Sequence, residues 1–412
     1  MTNKFLLPFG LIFFYYTAIA QWTNQNSGTS SFLTNVFFPT LDTGYITQQD
    51  GGFLKTNDGG NDWSFIAPAG TAYSIFFTSG TIGYAIGDDT PQTNNGMSIK
   101  KTIDGASTWS TKFFDSTISF SSIFFPLDNI GYAIGFSDIF SCYIYKTIDA
   151  GESWFVQDTI SAFIINSAFF FTNADTGYLS IGYGEIYKTT DGGLNWSLKS
   201  LDSTGNTQIN SIYFPSSNIG YAAGMTIGIG AVVYKTIDAG LTWILHVTQQ
   251  SNPLYSIYFT SNNIGFAVGG NGLSSGTVIK TTDGGSNWSL ATSQTATFNS
   301  VFFPNANNGY AVGTNGTIIK YIDSTTVGLN NIIADNNSVS FFPNPSNNGT
   351  FTVAGNRGSH SITVLNVLGE TVYKSQLSIS QSQINLSAQP KGIYFVKLQS
   401  GDGMSVHKVV YQ

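Results

Sequence analysis

Apolar residues in the first three quarters of the chain fall in short consecutive runs, not at helical spacing. The runs are Val36-Phe37-Phe38, Ile75-Phe76-Phe77, Ile123-Phe124-Phe125, Phe169-Phe170-Phe171, Ile212-Tyr213-Phe214, Ile257-Tyr258-Phe259 and Val301-Phe302-Phe303. Each is followed by a Gly-Tyr pair, from Gly44-Tyr45 to Gly309-Tyr310, except that the sixth reads Gly265-Phe266. A run that is apolar on successive residues predicts a strand buried on both faces. Asn, Gly, Ser and Pro between the runs predict tight turns, hence an all-β protein.

A second phrase alternates with the first: Lys-Thr-x-Asp, two small residues, then Trp. Its aspartates are Asp58, Asp104, Asp149, Asp191, Asp238 and Asp283, with a worn copy at Lys320-Tyr321-Ile322-Asp323 that lacks its Trp. A period of about 40 to 50 residues signals a propeller or solenoid. Each unit divides into four short strands, as in Ser300–Pro304, Gly309–Gly313, Thr277–Thr281 and Trp288–Ala291. This predicts a seven-bladed β-propeller. Six tryptophans, Trp63, Trp109, Trp154, Trp196, Trp243 and Trp288, follow the Asp turns. The seventh, Trp22, lies far upstream, so the strand beginning there is expected to complete the last blade and close the ring.

The Lys-Thr-x-Asp-Gly-Gly-x-x-Trp phrase resembles the Asp-box (BNR) motif of sialidase-like propellers over roughly residues 22 to 326. The resemblance implies a structural role for Asp58, Asp104, Asp149, Asp191, Asp238, Asp283 and Asp323. Their carboxylates would cap their own turns, and Trp would cover each hairpin. The seven lysines beside these turns, from Lys55 to Lys320, are expected to form a solvated rim. The repeats also resemble photosystem-assembly-factor-like propellers, although the basic binding surface of those proteins is not evident here.

The two ends carry targeting signals. Lys4, the apolar run Phe5 to Tyr16 and Ala18-Ile19-Ala20 read as a signal peptide over 1–20 with cleavage after Ala20. That run is too short to span a bilayer, so no transmembrane segment is expected. Residues 21–326 are assigned to the propeller and 327–337 to a linker. Residues 338–412 contain Phe341-Phe342-Pro343-Asn344-Pro345, Gly349, Ile362 to Tyr373, Ile384-Asn385-Leu386 and Gly392-Ile393-Tyr394-Phe395-Val396-Lys397. These resemble the type A C-terminal sorting domain of the type IX secretion system, with Asn366 where that family often has Asp. The short strands predict a small Ig-like β-sandwich. The resemblance implies export by the type IX machinery and a secreted, extracellular or outer-membrane-surface product.

Composition narrows the chemistry. Charged residues make up 9% of the 412, against about 25% in an ordinary domain. The net charge is −7, which argues against a nucleic-acid partner. Arg357 is the single arginine, so the arginine cluster by which sialidases hold a carboxylate is missing and that activity is rejected. Cys142 is the single cysteine, which excludes an intrachain disulfide and cysteine-rich zinc sets. Calcium would need a recurring oxygen-ligand spacing that the repeats do not carry, so no cofactor is expected.

The face opposite the Asp turns offers Asp88, Asp89, Asp138 and Glu185 beside Phe136, Phe140, Tyr183 and Met225. Carboxylates among aromatics can hold a sugar or a peptide. Between residues 22 and 326 there are 20 acids and 10 lysines, which disfavours anionic ligands. Two readings follow. The first is a non-enzymatic binding or adhesion module for glycan or protein, with Asp88, Asp89, Phe136, Asp138, Tyr183 and Glu185 at its ligand surface. The second is a glycoside hydrolase or lyase using Asp138 and Glu185 as paired carboxyls. Some Asp-box propellers, such as xyloglucanases, are hydrolases, but those pair two propellers around a cleft. Asp115-Ser116-Thr117, Asp158-Thr159-Ile160 and Asp202-Ser203-Thr204 resemble short bacterial O-glycosylation acceptors.

Overall fold

The computed structural model describes residues 21–66, 72–88, 96–138, 140–161, 167–201, 205–272, 275–323, 340–354, 359–366, 370–378, 382–400 and 403–412. The signal-peptide and linker assignments, Asp89 and Asp202-Ser203-Thr204 lie outside them. The chain divides into two compact units, 1–324 and 325–412.

Among the described residues the first unit contains seven four-stranded antiparallel sheets, and the arrangement is a β-propeller. Six are built from consecutive strands within 33–66, 74–115, 119–161, 168–200, 207–247 and 254–294. The seventh takes three strands from 298–322 and its outer strand, Gln21–Gln25, from the other end of the unit. Trp22 faces Tyr321 in that pairing and is 8% exposed.

Three aromatic rings recur at every joint. The Tyr of each Gly-Tyr pair stacks on the last aromatic of the next sheet's apolar run, with centroids 3.7–4.5 Å apart; Phe266 fills this place in the sixth sheet. That last ring meets a Trp edge-on at 5.8–6.4 Å. Trp22 supplies the contact to Phe303 that each local Trp supplies elsewhere. The glycine before Tyr is required sterically. A Cβ on Gly220 would lie 2.3 Å from the Phe214 ring, and the other six sheets repeat the approach.

The Thr-x-Asp turns explain the second phrase. Thr56 Oγ1 donates to Asp58 Oδ1 at 2.7 Å and accepts from the Gly60 N–H at 2.8 Å. Asp58 Oδ1 also accepts from the Asp62 N–H at 3.1 Å. Five more turns repeat this pattern. Asp104, Asp149, Asp191, Asp238 and Asp283 are each held down to about 2, chiefly by hydrogen bonds from residues of the turn itself. Asp323 differs. Tyr321 stands where the other turns have Thr, and its hydroxyl donates to Asp323 Oδ2 at 3.4 Å.

The lysines are not a solvated rim. Lys55, Lys101, Lys146, Lys188, Lys235 and Lys320 donate to the carbonyls of Gly105, Ala150, Gly192, Ala239, Gly284 and Gly59 at 2.6–2.9 Å. Tyr45, Tyr84, Tyr132, Tyr178, Tyr221 and Tyr310 donate to the same six oxygens at 2.5–3.1 Å. Each acceptor belongs to the turn of the following sheet. The ammonium groups are drawn inward because a carbonyl one sheet away offers a charge-assisted bond, and the Tyr ring below adds a cation–π contact. Burial lowers the Lys146, Lys188 and Lys320 amines from their usual range.

The inner strands depart from the expected burial of both faces. The last residue of each three-residue run is buried, whereas the middle one, namely Phe37, Phe76, Phe124, Phe170, Tyr213, Tyr258 and Phe302, is half-buried. These seven rings contact one another in a closed cycle with centroids 4.6–5.4 Å apart. They form an aromatic collar around the centre of the propeller.

The second unit has a three-stranded sheet (Ser340–Phe342, Thr350–Ala354, Ser382–Asn385) and a four-stranded sheet (Ser359–Leu365, Thr371–Ser378, Gly392–Ser400, Gly403–Tyr411). Phe351, Val353, Ile362, Val364, Tyr394 and Val396 lie in its core. Asn366 closes a turn on Glu370, donating to Glu370 Oε2 at 2.8 Å and accepting from the Glu370 N–H at 3.0 Å.

Candidate functional site

The nominated acids sit where second strands end and third strands begin, away from the Thr-x-Asp turns. Asp88 ends the strand Gly83–Asp88, and its Oδ2 accepts from the Tyr73 hydroxyl at 2.8 Å. Both residues line a recess of about 430 Å³ with Ser116, Thr117, Ser119 and Phe120. The recess forms because the strand Met97–Thr102 and the link from Asp115 to Ser119 meet at this end of the second sheet. Asp115 shapes that link by accepting from the Thr117 N–H at 2.8 Å and the Thr117 hydroxyl at 2.7 Å. Sequence reasoning missed Tyr73 and Ser119 and named Ser116 and Thr117 only within the glycosylation-acceptor resemblance at Asp115-Ser116-Thr117. For Ser119 the signal was the polar segment between the strands.

Asp138 caps its own turn. Its Oδ1 accepts from the Phe140 N–H at 2.7 Å, and its Oδ2 from the Ser141 hydroxyl at 3.3 Å. The Phe140 N–H is the main reason its carboxyl stays below the ordinary range. A general acid needs the opposite shift. Glu185 begins the strand Glu185–Thr189, and its Oε2 accepts from the Tyr187 hydroxyl at 3.2 Å. Neither Asp138 nor Glu185 lines the Asp88 recess.

The nominated aromatics divide. Phe140 is 56% exposed beside Asp138. Phe136 packs half-buried against the cluster containing Cys142 and Ile160. Tyr183 and Met225 both pair with Gln208, which brings the fourth and fifth sheets together. The buried Cys142 thiol is pushed up to about 12, chiefly by desolvation, and is unsuited to attack as a thiolate. Burial is also the main cause of a lowered His246 pKa. Among the described residues no three His, Cys, Asp or Glu side chains gather into a metal set, and no helix is long and apolar enough to cross a membrane.

Residues 340–412 match the secretion system C-terminal sorting domain. This tail implies handling by the type IX secretion machinery and supports secretion or a cell-surface location. No curated protein matches the sequence. Among solved structures, YCF48 from Cyanidioschyzon merolae is similar at 17% identity and a TM-score of 0.58, covering 73% of this chain and 98% of that one. The GH74 enzyme of Niastella koreensis is similar at 12% identity and a TM-score of 0.56, covering 95% of this chain and 74% of that one. The WD40 β-propeller domain of Doa1 is similar at 12% identity and a TM-score of 0.54, covering 73% of this chain and 96% of that one. At these identities the likeness establishes the propeller fold.

Proposed function

We propose that the protein is a secreted or cell-surface binding module: a seven-bladed Asp-box propeller that holds a glycan or protein ligand, followed by an Ig-like sorting domain that directs export. On this reading residues 1–20 are a cleaved signal peptide. The observation that carries the proposal is the recess at Asp88. A carboxylate and a phenol, with the hydroxyls of Ser116, Thr117 and Ser119, line a hollow able to bind a polyhydroxylated ligand. The repeated Asp, Lys and Tyr residues are engaged in turns and joints, which leaves recognition to residues outside the repeat.

Hydrolysis is the second reading, favoured by the presence of Asp138 and Glu185 on neighbouring sheets. Glu185 would then be the acid and Asp138 the permanently ionised partner. A polysaccharide array scored for both retention and released sugar separates the two. Retention without release, lost in Asp88→Asn and Tyr73→Phe, is the expected result. Sugar release abolished by Glu185→Gln or Asp138→Asn would overturn the binding reading.

A further inference from the structure

The aromatic collar is not uniform. In five sheets its member is phenylalanine, whereas the adjacent fifth and sixth sheets place Tyr213 and Tyr258 there. Their centroids are 4.6 Å apart, the shortest spacing in the collar. A recess of about 230 Å³ opens at this polar arc. Tyr213, Tyr258, Pro304, Thr260, Ser261 and Asn305 are among its lining residues, and no lining residue is charged.

The rim retains donors. Ser261 Oγ accepts the N–H groups of Asn263 and Ile264 at 3.3 and 3.1 Å, which leaves its own hydrogen to give. Asn305 Oδ1 accepts from Asn307 and Asn308 at 2.8 Å, so its amide NH₂ stays available. Aromatic and proline surfaces beside neutral hydroxyl and amide donors suit a pyranose ring, which has apolar C–H faces and equatorial hydroxyls. The absence of charge in the lining disfavours a uronic acid or an amino sugar. The volume is below the roughly 300 to 1,000 Å³ of drug-sized sites and suits a single sugar unit.

We infer that the recess at Tyr213 and Tyr258 is a subsite for one neutral hexopyranose or pentopyranose unit, on the face that carries the Thr-x-Asp turns. It is independent of the ligand surface at Asp88, which lies at the other end of the strands.

The test is saturation-transfer NMR and calorimetry on the full chain with the methyl glycosides of glucose, galactose, mannose and xylose. Methyl glucuronide and a proline decamer serve as competing probes. At least one neutral glycoside should bind with a dissociation constant on the order of 1 mM. Tyr258→Phe and Asn305→Ala should each weaken it about fivefold, the loss of one hydrogen bond. Tyr258→Phe keeps the ring that five repeats already carry, so a loss there is not a folding defect. Asp88→Asn should leave this binding unchanged. The assignment is overturned if no neutral glycoside binds, if binding survives both variants, if Asp88→Asn alone removes it, or if the decamer or the glucuronide occupies the site instead.

Discussion

The Lys280 ammonium lies 3.1 Å from the Tyr321 hydroxyl, at the joint where Tyr stands in place of the Thr of the repeating Thr-x-Asp phrase. In the seventh sheet the phrase reads Lys320-Tyr321-Ile322-Asp323, and the Tyr321 phenol accepts from the ammonium of the preceding sheet. The sixth sheet has Phe266 where the other six have Tyr, and its ring packs on Trp22, Phe303 and Tyr321. Tyr321→Phe should therefore remove a hydrogen-bond partner of the half-buried Lys280 ammonium and cost about 1–3 kcal/mol. Phe266→Tyr should stabilise nothing. Chemical denaturation of the two variants against the parent checks both.

Trp22 carries the closure of the ring. Trp22→Ala removes its contacts with Phe266, Phe303 and Tyr321 together. A loss of about 3–5 kcal/mol is expected. Amide exchange should rise first along Ile318–Ile322, the strand that Gln21–Gln25 covers.

Gly220→Ala should be costly although the change is one methyl. The methyl would press on Phe214, which is itself stacked on Tyr178 at 4.0 Å and wedged against Trp243. A loss of about 1–3 kcal/mol is expected from overpacking, visible as a lower thermal midpoint.

Acid should weaken the propeller over a defined window. The turn aspartates titrate near 2 in the folded chain, against 3.8 for an unperturbed group. A depressed carboxyl contributes stability that is present above the unfolded value and disappears as pH falls through the folded one. Denaturation midpoints should hold steady down to about pH 5 and drop between about pH 4 and 2. Alkali acts through the clamp tyrosines. Burial raises Tyr45 and Tyr221 to about 12, so their contribution is intact below pH 10 and fades as pH climbs through 12.

The repeat and its closure were legible because Gly-Tyr, Thr-x-Asp and Trp recur in one order and Trp22 was the single displaced copy. The lysines were misread because an isolated cation ordinarily prefers water, and their acceptors lie about 50 residues onward, on a neighbouring sheet. Phe266 was a readable clue, the one departure from Tyr directly ahead of the worn turn. The collar was hidden because two consecutive aromatics do not reveal which one meets the next sheet and which meets the axis. Asp138 looked like chemistry, yet the Phe140 N–H two residues on makes it a turn cap. Distances of that kind exist only once the loop has folded.

Six of the seven sheets secure the turn of their successor rather than their own. A chain cut after any whole number of repeats would therefore end with one Lys–Tyr pair gripping nothing and one turn undocked. Partial arcs are penalised at both ends, and only the complete circuit docks all six Thr-x-Asp turns. Such a molecule should assemble and come apart as a whole, which suits a protein that must survive outside the cell without disulfides.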